Sequence, residues 1–222
     1  MDKIEKELSR RVEPLLKEHG FALRKTWHCF VRKQPYGFDG FAISHLTSFD
    51  TEPIHQIFGG FGVRHDRIEI PFNTLGFIYG DDAQRQTVTF TRAYPPHPYG
   101  HPDHRIRIGQ STFESDLDRA EQRVRQYFLE EGLPFYERFA SLAEIEAIVN
   151  ADPKVPPMDF GPYSSGYFWE MRAVRGLLLA KLLNPERYGE LRQAYLEHTF
   201  GTQLSAERRI AVMERVDALS VS

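Results

Sequence analysis

The feature that most constrains this chain is a change of pattern near residue 112. Before it, short aromatic and β-branched runs are separated by turn signals; after it, apolar residues recur at helical spacing. The runs "FALRKTWHCFVRKQ" and "FDGFAISHLTS" flank "PYG" and read as a hairpin. "HQIFGGFGVRH", "RQTVTFTRAY" and "HRIRIGQ" supply further strands. An amphipathic helix over residues 2–19 precedes them, with Ile4, Leu8, Val12, Leu15 and Leu16 on its apolar face and Gly20 as its stop. From Ser111 or Thr112, either of which suits an N-cap, helices take over, one of them capped by Ser141. Strands first and helices later predict an α+β fold: an N-terminal helix, an antiparallel sheet of about 4–5 strands, then a helical C-terminal half with a helical hairpin. The Pro/Gly-rich "ADPKVPPMDFGPYSSG" sets the expected border between an α+β domain, 1–150, and a helical subdomain, 151–222.

Composition narrows the function classes. With 28 basic and 31 acidic residues the formal charge is −3, so no global positive field draws the chain to nucleic acid. No run approaches the roughly 20 apolar residues that span a bilayer, and the charged N-terminus lacks the apolar centre of a secretory signal. Cys29 is the only cysteine, which excludes an internal disulfide and any multi-thiolate metal site. A cytoplasmic protein without membrane or nucleic-acid partner is expected.

Chemistry is concentrated in few places. "HPYGHPDH" puts His97, His101 and His104 within eight positions, at spacings a helix would align. Pro98, Gly100 and Pro102 forbid that helix, so the segment reads as a connection between strands. A metal-dependent hydrolase would need these histidines together with His65 and Asp66, the bound ion activating water. In the strand spanning residues 57–65, Gly60 and Gly62 share a face that could pair with Ala42 and Ser44 to form a shallow trough for a packed helix or a small ligand. Cys29 reads as an inert thiol inside a strand, and His45 as a half-buried strand histidine beside which the sequence can place no carboxylate.

Further along, Ala173, Gly176 and Ala180 make a stripe of small side chains suited to close helix packing, and Asn184-Pro185 turns the chain into a returning helix. Tyr163, Tyr167, Trp169 and Arg172 near its entrance have the residue types enriched at binding hot spots. Between residues 112 and 150, nine acidic residues face four arginines, a surplus that would attract a basic partner.

At "LLKEHGFALRKTWHCFVRK", "FGVRHD" and "GLPFYERFASLAEIEAIVN", the order of elements resembles a group of bacterial α+β domains of unknown function, some of them similar to immunity proteins that neutralise polymorphic toxins. The likeness covers residues 1–150 and implies a helix that feeds an antiparallel meander, with no catalytic residues to carry over. Together with the missing catalytic motifs, it leads to the expectation of a noncatalytic protein-binding module, immunity-like, with another protein as partner and no cofactor. The hydrolase and the small-ligand binder at residues 57–65 are the alternatives.

Overall fold

The computed structural model describes residues 3–49, 53–77, 79–94, 106–109, 113–154, 168–198 and 204–221. The fold is α+β, as expected. Helix α1 (Lys3–Glu18) buries Ile4, Leu8, Val12 and Leu16, and Gly20 leaves it at φ 81°. Strands β1 (Ala22–Arg24), β2 (Cys29–Gln34), β3 (Gly37–Phe49), β4 (Pro53–His65) and β5 (Phe90–Tyr94) follow one another across a sheet, with β6 (Ile106–Ile108) pairing β4 antiparallel. The helical part comprises α2 (Asp66–Thr74), α3 (Asp81–Gln86), α4 (Phe113–Tyr127), α5 (Leu133–Phe139), α6 (Leu142–Val149), α7 (Phe168–Leu183), α8 (Tyr188–Glu197) and α9 (Ala206–Ala218). No helix among the described residues is long and apolar enough to cross a membrane.

Two details, one in the sheet and one in the helices, differ from the sequence reading. The run "FALRKTWHCFVRKQ" is two strands rather than one, broken at Lys25–His28 by a turn in which the Trp27 N–H donates to the Arg24 carbonyl at 2.9 Å. His28 sits there at φ 53°, a left-handed conformation that histidine tolerates better than β-branched residues do. Residues 66–86 also fold into α2 and α3, where no helix was read. Pro71 inside α2 masks its periodicity.

The chain forms two compact units: residues 1–63 with 91–138, and residues 64–90 with 139–222. In the first, one sheet face is packed under helices. Phe41 stacks on Phe61 at 5.7 Å and meets Phe128 edge-on at 5.3 Å, while Tyr136 donates to the Gly40 carbonyl at 2.7 Å. The chain passes from α4 to α5 through a single π-turn, Phe128–Gly132. There a Cβ on Gly132 would lie 2.8 Å from the Phe61 ring, so the glycine lets the helix backbone approach the fully buried Phe61. Close helix-on-sheet packing does occur, but the enabling glycine is on the helix.

The second unit is held by a buried ion pair. Glu69 of α2 is 0% exposed and accepts two hydrogen bonds from Arg175 of α7, at 2.7 and 2.8 Å, with the guanidinium lying 4.0 Å over the Phe72 ring. Nearby, the small-residue stripe on α7 is used as expected for close packing. Ala173 and Ala180 are fully buried, and a Cβ on Gly176 would meet Asn150 Oδ1 at 2.5 Å and the Tyr195 hydroxyl at 2.6 Å. Asn150 spans the junction, its amide donating to Glu146 and to the Gly176 carbonyl while its oxygen accepts from Tyr195. Helices α7 and α8 form the expected hairpin through Asn184 and Pro185.

Two stability outcomes follow from these contacts. Gly132→Ala is expected to cost about 1–3 kcal/mol in urea unfolding, because the Phe61 ring has nowhere to retreat. Arg175→Met is expected to cost about 3–5 kcal/mol by leaving Glu69 buried and unpaired, and the double variant Glu69→Gln/Arg175→Met less than that. Burial opposes ionisation of Glu69, but the Arg175 charge and the hydrogen bonds of Arg175 and Thr87 outweigh it and hold the carboxyl below its ordinary 4.5. A lowered folded-state value means that this stabilisation is complete above pH 4.5 and fades as pH falls below it. Acid unfolding of Arg175→Met should therefore show a flatter dependence on pH in that range.

Candidate interaction surface

The β1–β2 hairpin and the strand beside it are built so that residues opposite each other share a face. Leu23, Phe30 and Phe41 fall on the helix-covered face together with the opposed pair Arg32 and Asp39. Asp39 is 0% exposed and accepts from Arg32 at 2.9 Å, Gln34 at 2.6 Å and Tyr36 at 2.8 Å. The Arg32 guanidinium in turn lies 4.8 Å over Phe21 and 5.4 Å over Tyr136. The guanidinium is thus held by the fold, though the Arg32 side chain is partly exposed.

The opposite face carries Arg24, Cys29 and Ala42 in one row, Ala22, Val31 and Gly40 in the next, and Lys33 across from Phe38. Trp27 folds back from the turn until its ring lies 5.5 Å from that of Phe38. Phe38 itself lies beside Gly40, where a Cβ would be 3.6 Å from its ring and 3.8 Å from the Gly62 carbonyl. That end of the glycine-lined trough is therefore occupied by the chain's own aromatic side chain. At Gly60 a Cβ would lie 3.2 Å from the Arg92 carbonyl, so there the neighbouring strand makes the close approach.

Around the aromatic pair the charge is one-sided. Arg24, Lys25 and Lys33 are exposed, and no carboxylate among the described residues pairs with them. Asp39 is the one acidic residue between positions 19 and 49, and Arg32 takes it. This patch was missed in reading the sequence because the chain's net charge of −3 hides it. The signal that could have found it is the acid-free run 19–38, with two Arg/Lys pairs in a strand-turn-strand pattern.

The residues singled out from the sequence are distributed differently. His97, His101 and His104 lie outside the described residues, as do Tyr163 and Tyr167. Trp169 belongs to α7 by its backbone. Arg172 donates to the Val149 carbonyl at 2.9 Å and the Asp152 carbonyl at 2.8 Å, satisfying groups that the end of α6 leaves open. His65 is buried, with Nε2 2.9 Å from the Phe139 carbonyl, so that nitrogen carries a proton and has no lone pair for an ion. Asp66 accepts from Arg64 at 2.7 Å. No group of three or more His, Cys, Asp or Glu among the described residues could hold a metal ion. The acidic surplus is partly compensated by α1: Glu114, Asp118 and Glu121 all engage Arg11, which also bonds Glu7, and Arg125 bonds Glu121.

His45 does have a carboxylate beside it, supplied by α1. Its Nδ1 is 3.4 Å from Glu5 Oε1, and Thr47 Oγ1 lies 3.4 Å from its Nε2 and 3.0 Å from His55 Nδ1. Elsewhere, a cavity of about 330 Å³ lined by Arg64, Asn73, Asp81 and Arg85 opens beside α2 and α3. Its Arg64 is held by Asp66 and by the Gln84 and Thr87 carbonyls. No family model matches the chain, nor does any curated protein or solved structure.

Burial pushes the Cys29 thiol up to about 11. Since the thiolate is the reactive form, Cys29 is expected to react with a disulfide reagent far more slowly than a free thiol at pH 8, with a rate that climbs through pH 9–10. A stopped-flow trace matching that of free cysteine would contradict this placement.

Proposed function

We propose that this chain is a noncatalytic protein-binding module, of the immunity-like kind, and that it meets its partner through the β1–β2 hairpin. The observation that carries this reading is the set of three exposed cations, Arg24, Lys25 and Lys33, with which no carboxylate among the described residues pairs, around the half-buried Trp27. An aromatic anchor with one polar edge, rimmed by charge, is the residue chemistry of binding hot spots. Cations left unneutralised by the fold steer an oppositely charged surface into place.

The partner surface on this reading is acidic. The acidic helices favour a basic partner less, because Arg11 already draws three of their carboxylates, Glu114, Asp118 and Glu121. A cytoplasmic, bacterial setting belongs to the same proposal and is supported by the lone thiol, which has no partner for a disulfide. For the immunity-like form, the partner is a toxin whose contacting surface is acidic.

The reading is tested with fluorescence anisotropy, using an oligoglutamate peptide and a single-stranded oligonucleotide as the two probes. The peptide should bind in low salt, weaken steeply as salt rises, and lose at least about tenfold in affinity on Arg24→Glu/Lys25→Glu/Lys33→Glu. Trp27→Ala should weaken it further while circular dichroism stays unchanged. Peptide binding that is indifferent to the charge reversal would refute the hairpin as the docking surface, and tighter binding of the oligonucleotide would assign the patch to nucleic acid.

A further inference from the structure

We propose that β3 and β4 hold a divalent transition-metal ion between His45 and His55. Two imidazoles from neighbouring strands converge on one point, marked by the Thr47 hydroxyl oxygen at 3.4 Å from His45 Nε2 and 3.0 Å from His55 Nδ1. Their ring centroids are 5.6 Å apart and inclined by 48°, which excludes a flat stack of the two rings. The hydroxyl oxygen carries lone pairs of its own, so it can join the two imidazole nitrogens around one ion.

The other side of His45 is what distinguishes this pair from two histidines that merely touch. Glu5 Oε1, from the first turn of α1, is 3.4 Å from His45 Nδ1. A carboxylate at Nδ1 fixes the proton on that nitrogen, turns the ring, and leaves Nε2 with its lone pair directed at the Thr47 oxygen. A carboxylate behind an imidazole that faces an ion is the usual support of a metal-binding histidine, raising its basicity and holding its orientation. Glu5 is here a positioning residue and not a ligand, since it lies on the far nitrogen. The side chains of Glu5 and His45 are 16% and 15% exposed, a half-buried setting that water can still reach.

Donor chemistry selects the ion. Two imidazole nitrogens and a neutral hydroxyl suit Zn²⁺ or Cu²⁺, whereas Ca²⁺ and Mg²⁺ require oxygen cages rich in carboxylate. The remaining coordination positions go to water. The two imidazoles, with Glu5 behind one of them, come from three elements of one compact unit, residues 1–63 with 91–138, so the site is complete within it. It is also separate from the hairpin patch, which lies on the opposite sheet face.

Titration of the full-length, metal-free chain with Zn²⁺ by calorimetry, and with Cu²⁺ by electron paramagnetic resonance, tests this. Saturable one-to-one binding is expected, with a copper spectrum showing two coordinated nitrogens. His45→Ala and His55→Ala should each weaken it by more than about tenfold, and Glu5→Gln by about tenfold through loss of orientation. Circular dichroism checks each fold; should an alanine variant fail to fold, His45→Gln and His55→Gln take its place. The loop variant His97→Ala/His101→Ala/His104→Ala serves as the contrasting arm and should bind as the parent does. No saturable binding, binding unchanged by loss of both His45 and His55, or binding abolished by the loop variant would each overturn the proposal.

Discussion

A carboxylate with no solvent exposure must be hydrogen-bonded on all sides or it destabilises the fold that encloses it, and Asp39 sets that requirement for the sheet unit. Its three donors, Arg32, Gln34 and Tyr36, come from the same hairpin. They can reach it only when Arg32 stands opposite Asp39 and Gln34 opposite Gly37, which is the observed register. A slip by one residue would move every side chain to the other face and leave the carboxylate buried without a cation. The register in turn decides what the surface shows. Arg32 goes inside, stacked on Phe21 and Tyr136, whereas Arg24 and Lys33 are turned to the opposite face beside Trp27 and Phe38. The exposed basic patch is a consequence of the way the buried Asp39 is satisfied.

The second unit rests on a similar constraint in helical form. Glu69 and Arg175 lie 106 positions apart in sequence, and their bidentate contact fastens α2 to α7. Arg172, one turn earlier on α7, closes the carbonyl end of α6, and Lys181, near its far end, donates to the Val216, Asp217 and Leu219 carbonyls at the end of α9. Cations on α7 thus satisfy the orphan carbonyls of two neighbouring helices, while its small residues admit those helices closely. This explains why a helix that is apolar nearly all round still carries three well-placed cations.

Some of this was legible in the residue order. The 3.6-residue spacing of Ile4, Leu8 and Val12, the Pro-Tyr-Gly turn, the Ala173-Gly176-Ala180 stripe and the Asn184-Pro185 turn each have a local physical cause, and each element appears where its pattern lies. The break at Lys25–His28 was not legible, because aromatic and β-branched residues continue through it and only the left-handed His28 ends the strand. Likewise, the association of residues 64–90 with 139–222 depends on a pair of charges too distant for any periodicity to register. Glu5 and His45 illustrate the same limit: their meeting requires α1 to lie across the sheet.

Residue order by itself determined the class of fold, the order of helix and strand, and the faces that must be buried, since these follow from backbone preference and apolar spacing within a few residues. Tertiary structure alone decided which polar groups became partners. Arg32 is paired with a buried carboxylate and Lys33 exposed although they are adjacent, and His65 is tied to a carbonyl while His45 gains a carboxylate. The reason is that charge and hydrogen-bond pairing act over a few ångströms in space, and the distance along the chain between such partners is set by how the elements pack.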